Sequence, residues 1–296
     1  MYQNMMIESS ARIYQKNSQL YVRSEEEHHI PIEDINMLLL ANPQMNVSAQ
    51  SLVSLAENGS AVVLCDGKRM PVAMVLPFAA NARRLKMIRL QIQQSKPRLK
   101  RLWQQIVQQK ICNQGKCLQL TGKTDTVTRL AEKVTSGDSK NIEAVAAAIY
   151  FKTLFGKTFS RHEDNILNSM LNYGYAVIRS AIARYLAVYG LEPCLGLFHH
   201  NEMNAFNLAD DLIEPFRPLV DLYTAAHADE AADELTLAVR QGLVQLLSGN
   251  IRSQGEVHSV HYAIERMVQS LLRCFTGTSQ QLVLPELMAW QIHTYE

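Results

Sequence analysis

The feature that most constrains this chain is a change of apolar period near Phe78. Before it, short segments alternate every two residues; after it, apolar residues recur at helical spacing. Ala11–Gln15 and Gln19–Arg23 alternate on either side of the turn sequence Lys16-Asn17-Ser18, which predicts a hairpin. His29–Glu33 and Ala61–Cys65 predict two more strands, the second ended by the turn signal Asp66-Gly67. Ser48–Asn58 carries Leu52, Leu55 and Ala56 at helical spacing and stops at Gly59, and Met70–Leu76 closes the small sheet.

Beyond Pro77 the spacing predicts helices over Asn81–Gln94, Arg98–Cys112, Thr126–Thr135, Asn141–Phe155, Ser169–Tyr189, Ala205–Ile213, Glu230–Leu247 and His258–Cys274. Asn113-Gln-Gly predicts a break after the second, and a last element lies around Pro285–Tyr295. Asp138 or Ser139 can cap the helix at 141, and Gly156 can end it. The expected fold is α+β: a small N-terminal β domain (1–78) followed by a larger C-terminal all-α domain (79–296).

Composition narrows the functional classes. A hydrophobic content of 47% argues against disorder, and no apolar run approaches the roughly 20 residues of a membrane span. The N-terminus lacks the basic flank and apolar core of a secretion signal. The 5 cysteines include no CxxC, so reduced thiols in the cytoplasm are expected rather than disulfides. The net charge of +1 hides an asymmetry: from Asn81 to Thr124 there is no Asp or Glu, while Arg83, Arg84, Lys86, Arg89, Lys110 and others fall there. Such a basic stretch attracts polyanions, and neutralised phosphates supply the sequence-independent part of nucleic-acid binding. The same run could also be a solvated face whose acids lie on neighbouring elements.

The chemistry-bearing residues cluster in Phe198–Arg217, FHHNEMNAFNLADDLIEPFR. Asp211 and Glu214 stand at i, i+3 and Asp210 and Glu214 at i, i+4, so these carboxylates can share a helix face and repel. A cation would relieve that repulsion. Glu143 lies near the start of the apolar helix IEAVAAAIYF, where a carboxylate is either favoured by the helix dipole or held by a partner. Carboxylates mixed with an imidazole suit Mg²⁺ or Mn²⁺ acting on phosphate oxygens, whereas a second histidine would favour zinc. With the acid-free stretch, the implied chemistry is phosphodiester cleavage or strand transfer.

Three spaced segments together carry a resemblance: Asn172-Tyr-Gly-Tyr-Ala-Val-Ile, Gly190-Leu-Glu-Pro-Cys-Leu-Gly-Leu-Phe-His199, and Phe206-Asn-Leu-Ala-Asp-Asp-Leu-Ile-Glu214-Pro-Phe-Arg-Pro218. The pattern closely resembles the CRISPR-associated spacer integrase family, the larger of the two universal adaptation proteins, in its type II form. Specific matches run from about Ser139 to Asp221, and domain order and length agree over the whole chain. The resemblance implies a metal triad of Glu143, His199 and Glu214 binding Mg²⁺ or Mn²⁺. His199 is chosen over His200 because it directly follows Leu-Phe, and Glu214 over Asp211 because it falls one helical turn later; Asp211 supports the site or is an alternative ligand. It also implies insertion of short double-stranded DNA fragments into the CRISPR array by 3′-hydroxyl attack on a phosphodiester. A homodimer formed largely through the β domain, and two such dimers flanking a dimer of a small partner protein, complete the expected assembly. Candidate DNA contacts, from charge alone, are Arg83, Arg84, Lys86, Arg89, Arg179 and Arg217, with Arg184 a further cation near the metal. The competing expectations are a stand-alone structure-selective nuclease and a non-catalytic DNA-binding scaffold.

Overall fold

Asn17 and Ser18 both adopt left-handed φ, 51° and 58°, and this turn closes the first hairpin between β2 (Arg12–Lys16) and β3 (Gln19–Arg23). In this computed structural model, which describes residues 3–77, 81–231 and 234–294, that hairpin belongs to a sheet of order β4-β3-β2-β6, with β4 at Glu27–Pro31 and β6 at Asn46–Val47. A second sheet has the order β1-β5-β7-β8, formed by Gln3–Ile7, Ile35–Leu40, Ala61–Cys65 and Pro71–Val75. Its first three strands run parallel and β8 is antiparallel. Helix α1 (Ala49–Glu57) begins at Ser48, whose hydroxyl accepts from the Ser51 N–H. The boundary expected at 78/79 lies at residues outside those described.

Strand β5 escapes an alternation test for a physical reason. β5 is buried at every position: Leu38 and Leu40 face the other sheet with Ile13, Leu20 and Leu55, while Met37 and Leu39 enter the helical core. A strand covered on both faces reads as a continuous apolar run, here Ile-Asn-Met-Leu-Leu-Leu. The second sheet is therefore a shared layer between the two parts of the molecule.

The helical part comprises α2 (Arg84–Ile92), α3 (Lys96–Leu120), α4 (Ile142–Phe155), α5 (Ile166–Val188), α6 (Asn207–Ile213), α7 (Arg217–Ala226), the short α8 (Ala228–Ala231), α9 (Leu237–Gln245) and α10 (Val260–Thr276). It is not all helical. Asn250–Ser253 (β9) and Glu256–Ser259 (β10) form a hairpin, Thr128–Lys133 is a 3₁₀ turn, and the helix expected over 230–247 is confined to α9 and a 3₁₀ turn after it. The C-terminal element is extended, bridging Gly249 to Ile292 and Arg252 to Glu286.

Asn113-Gln-Gly does not break α3, because tertiary contacts occupy its turn-prone residues. The Asn113 amide donates to the Pro215 and Pro285 carbonyls at 2.7 and 2.9 Å and its oxygen accepts from the Leu287 N–H at 3.0 Å. Gly115 lets the 122–128 segment fold onto the helix: a Cβ there would lie 1.9 Å from Thr128 Oγ1. α3 therefore runs unbroken through the core, with Trp103, Ile106 and Val107 fully buried. It packs against α4, α6, α7 and the 3₁₀ turn Glu214–Phe216, and this junction builds the site.

Candidate metal centre

Each carboxylate of the site is fixed by its own local structure. Asp138 accepts from the Ile142 and Glu143 N–H groups, 2.9 Å each, so it starts α4 although Asn141 holds the formal cap position. That places Glu143 in the first turn, with its side chain mostly buried. Glu214 begins the 3₁₀ turn that follows α6, and its side chain is nearly inaccessible. Both carboxylates meet at one cation. Lys110 Nζ lies 2.6 Å from Glu143 Oε1 and 2.5 Å from Glu214 Oε2. The contact to Glu143 is a hydrogen bond, and the contact to the buried Glu214 Oε2 is an ion pair.

Charge at this junction is balanced by two cations. Arg217 Nε donates to Glu214 Oε1 at 2.8 Å, and its guanidinium lies 4.4 Å from the centre of the Tyr175 ring. Burial works against the ionised Glu214, but Arg217 and Lys110 outweigh it and hold the carboxyl down at about 2. Burial likewise disfavours the Lys110 ammonium, and the carboxylates of Glu214 and Glu143 reverse that and raise it above the ordinary lysine value.

His199 is presented by a loop wound around a buried carboxylate. Asp211, with no exposed surface, accepts from the Leu197, Phe198 and His199 N–H groups at 2.5, 3.0 and 3.3 Å, and from His199 Nδ1 at 2.6 Å. A carboxylate only accepts, so Nδ1 carries the proton and the Nε2 lone pair is left available. Gly196 permits the tight winding, since a Cβ would sit 2.2 Å from the His199 carbonyl oxygen and 2.9 Å from Asp211 Oδ2. The Trp103 ring stacks on Phe198 at 4.5 Å and meets His199 edge-on at 5.6 Å, which limits the imidazole from the other side. The hydrogen bond to Asp211 raises the His199 pKa, half-burial opposes it, and Glu214 and Glu143 lie near enough for their charges to add to the rise.

Glu143 and Glu214 therefore meet at Lys110, while among the described residues no group of three or more His, Cys, Asp and Glu side chains forms a cluster that could hold a metal ion. An ammonium stands between the two carboxylates. The donor chemistry nonetheless suits a hard divalent cation: two carboxylate oxygens already gathered on one cation, and an imidazole with its second nitrogen tied down. Asp211 spends both oxygens on N–H donors, which makes it the group that orients His199 and leaves it no oxygen to ligate a metal without breaking those bonds.

A family model described as CRISPR associated protein Cas1 matches residues 5–231, most of the chain. The chain belongs to the Cas1 family. It is 41% identical to the CRISPR-associated endonuclease Cas1 of Neisseria meningitidis, an alignment covering 100% of this chain and 99% of that protein. Its fold is similar to that of a casposase bound to integration product, with a TM-score of 0.78 at 18% identity, covering 95% of this chain and 92% of the casposase. A chain of a partial Cas6-RT-Cas1–Cas2 complex gives a TM-score of 0.62 at 20% identity, over 97% of this chain and 100% of that one.

The cations that sequence offers this Cas1-family chain for DNA divide sharply. Arg83, Lys86 and Arg89 are exposed along α2 with no ion partner among the described residues. Arg84 is instead paired with Glu192 at 2.9 Å, on the inner side of α2, where Gln91 also exchanges hydrogen bonds with the Glu192 backbone. Arg179 lies 3.7 Å from Asp210 and over the Phe206 ring, and Arg217 is committed to Glu214. Arg184 is not at the site: buried in α5, it donates to the Gly59 carbonyl and ties the helical part to the β-rich one. His200 is exposed beside the loop. Lys110, counted in the sequence only as part of the basic run, is the residue missed. Its signal was present: Trp103, Val107, Lys110 and Gln114 repeat at helical spacing, which puts a lysine on the buried stripe of α3.

No helix among the described residues is long and apolar enough to cross a membrane.

Proposed function

We propose that this chain is a metal-dependent DNA endonuclease and integrase of CRISPR adaptation. It would insert short double-stranded fragments into a CRISPR array through attack of a fragment's 3′-hydroxyl on a phosphodiester. The observation that carries the reading is the convergence of Glu143 and Glu214, from separate helical segments, on one cation position beside an oriented imidazole. Membership of the Cas1 family and a fold shared with a casposase support the class of reaction. A Mg²⁺ or Mn²⁺ held by Glu143, His199 and Glu214 would supply stabilisation of negative charge on the transferring phosphate.

The chain's own residues do the remaining work. Asp138 fixes the first turn of α4 and with it the height of Glu143. Asp211 keeps the His199 proton on Nδ1 and leaves the other nitrogen free to ligate. Arg217, held over Tyr175, keeps Glu214 ionised and in place. Arg83, Lys86 and Arg89 would contact the backbone of the bound duplex. A homodimer through the β-rich part, and two such dimers on one dimer of a Cas2-like partner, complete the assembly we infer.

The test is strand transfer of a labelled short duplex into a repeat-containing plasmid, with Mn²⁺ or EDTA, with and without the partner. EDTA and each of Glu143→Ala, His199→Ala and Glu214→Ala should lower the rate by at least ~10²-fold while circular dichroism stays native. Full activity in all three variants, or activity in EDTA, would remove the metal from the mechanism. Efficient integration without the partner would make the chain a stand-alone nuclease.

A further inference from the structure

We propose that Lys110 is a resident counter-cation of the metal centre, and that loading the centre exchanges this ammonium for the divalent ion. The inference rests on the assignment of Glu143 and Glu214 as ligands. Two carboxylates enclosed this deeply repel each other and are costly to bury unless a cation lies between them. Lys110 fills that need without metal, its Nζ 2.6 Å from one oxygen and 2.5 Å from the other on a side chain only 10% exposed. A divalent ion at about 2.1 Å from the same oxygens would take the same space, so ammonium and metal exclude each other.

The two cations on Glu214 are built differently. Arg217 is anchored twice, by its bond to Glu214 Oε1 and by the Tyr175 ring under its guanidinium. Lys110 touches both carboxylates through its ammonium alone, on a four-carbon stem that can swing a compact charge. Arg217 is thus the fixed partner and Lys110 the exchangeable one. The consequence is a protein that keeps its site assembled when metal-free, at the expense of weaker metal binding than its donor set alone would give.

The experiment is Mn²⁺ titration of the EDTA-stripped full chain, following free Mn²⁺ by electron paramagnetic resonance, with Tm measured in EDTA and in saturating Mn²⁺. Lys110→Met should bind Mn²⁺ roughly tenfold or more tightly than wild type, because a like charge has left the site. Its Tm should fall in EDTA and recover in Mn²⁺, so the metal-induced rise exceeds that of wild type. Lys110→Arg, which keeps the charge, should bind no more tightly than wild type. A purely structural lysine would lower both Tm values equally, and that result, or Mn²⁺ affinity in Lys110→Met unchanged or weaker, overturns the proposal. Should Lys110→Met not fold, Lys110→Gln keeps a donor for Glu143 and carries the same affinity prediction. Glu143→Ala separates the two claims. If it leaves Mn²⁺ binding intact, the ligand assignment fails and takes the exchange with it; if it abolishes binding while Lys110→Met gains nothing, only the exchange fails.

Discussion

Helices α2 and α3 are cut from one acid-free stretch of sequence, yet some of its cations meet opposite fates. α2 turns Arg83, Lys86 and Arg89 to solvent with no ion partner among the described residues, whereas α3 buries Lys110 between Glu143 and Glu214. The acids that balance the second group lie 33 and 104 positions along the chain from Lys110, at 143 and 214, where no window of local charge could reveal them. Local composition thus reports how many charges a segment has, and tertiary structure decides which of them are free. A free surface cation acts through salt-screened attraction; a buried one acts through geometry and is screened far less.

The comparison can be broken first on its buried side. Asp211→Asn removes the charge that collects three backbone N–H groups and holds the His199 proton on Nδ1. Mn²⁺ affinity should fall by about 10–100-fold, the range for loss of a group that orients a ligand. Unchanged affinity by calorimetry would show that His199 needs no orienting partner. On the exposed side, neutralising Arg83, Lys86 and Arg89 together should flatten the plot of log K against log salt by up to about three units, near one per lost phosphate contact. Adding Arg84→Gln to that triple should change the slope little, because Arg84 is held by Glu192. An unaltered slope in the triple variant would make α2 a solvated face and nothing more.

The smallest effect sharpens the contrast through pH. Glu214 titrates near 2 in the folded chain against an ordinary 4.5, so it contributes stability above about pH 4.5 that is lost as pH falls toward 2. Glu214→Gln lacks this loss. The Tm advantage of wild type over that variant should shrink on acidification from about pH 5 to 2, followed by circular dichroism in EDTA. A constant difference would mean that Lys110 and Arg217 do not hold this carboxyl down.

Much of this was legible in the sequence, for identifiable reasons. The β2–β3 hairpin was readable because Asn17-Ser18 supplies left-handed residues between alternating runs. Glu143, His199 and Glu214 were chosen through the family pattern, and the fold brings the two glutamates together at Lys110. What sequence hid was what depends on distant partners. β5 gave no alternating pattern because both its faces are covered, and the helix runs through Asn113-Gln-Gly because the Asn113 side chain bonds to positions 215, 285 and 287, far along the chain. Lys110 was hidden in the same way, by acids on other segments.

We propose that the space now held by the Lys110 ammonium is a divalent-cation site. A crystal structure of the full chain soaked in Mn²⁺, with anomalous scattering recorded, tests it directly. One peak is expected within ligand distance of Glu143, Glu214 and His199 Nε2, with Lys110 Nζ moved off both carboxylates. A Mn²⁺ peak elsewhere, with Lys110 still bridging Glu143 and Glu214, would contradict it.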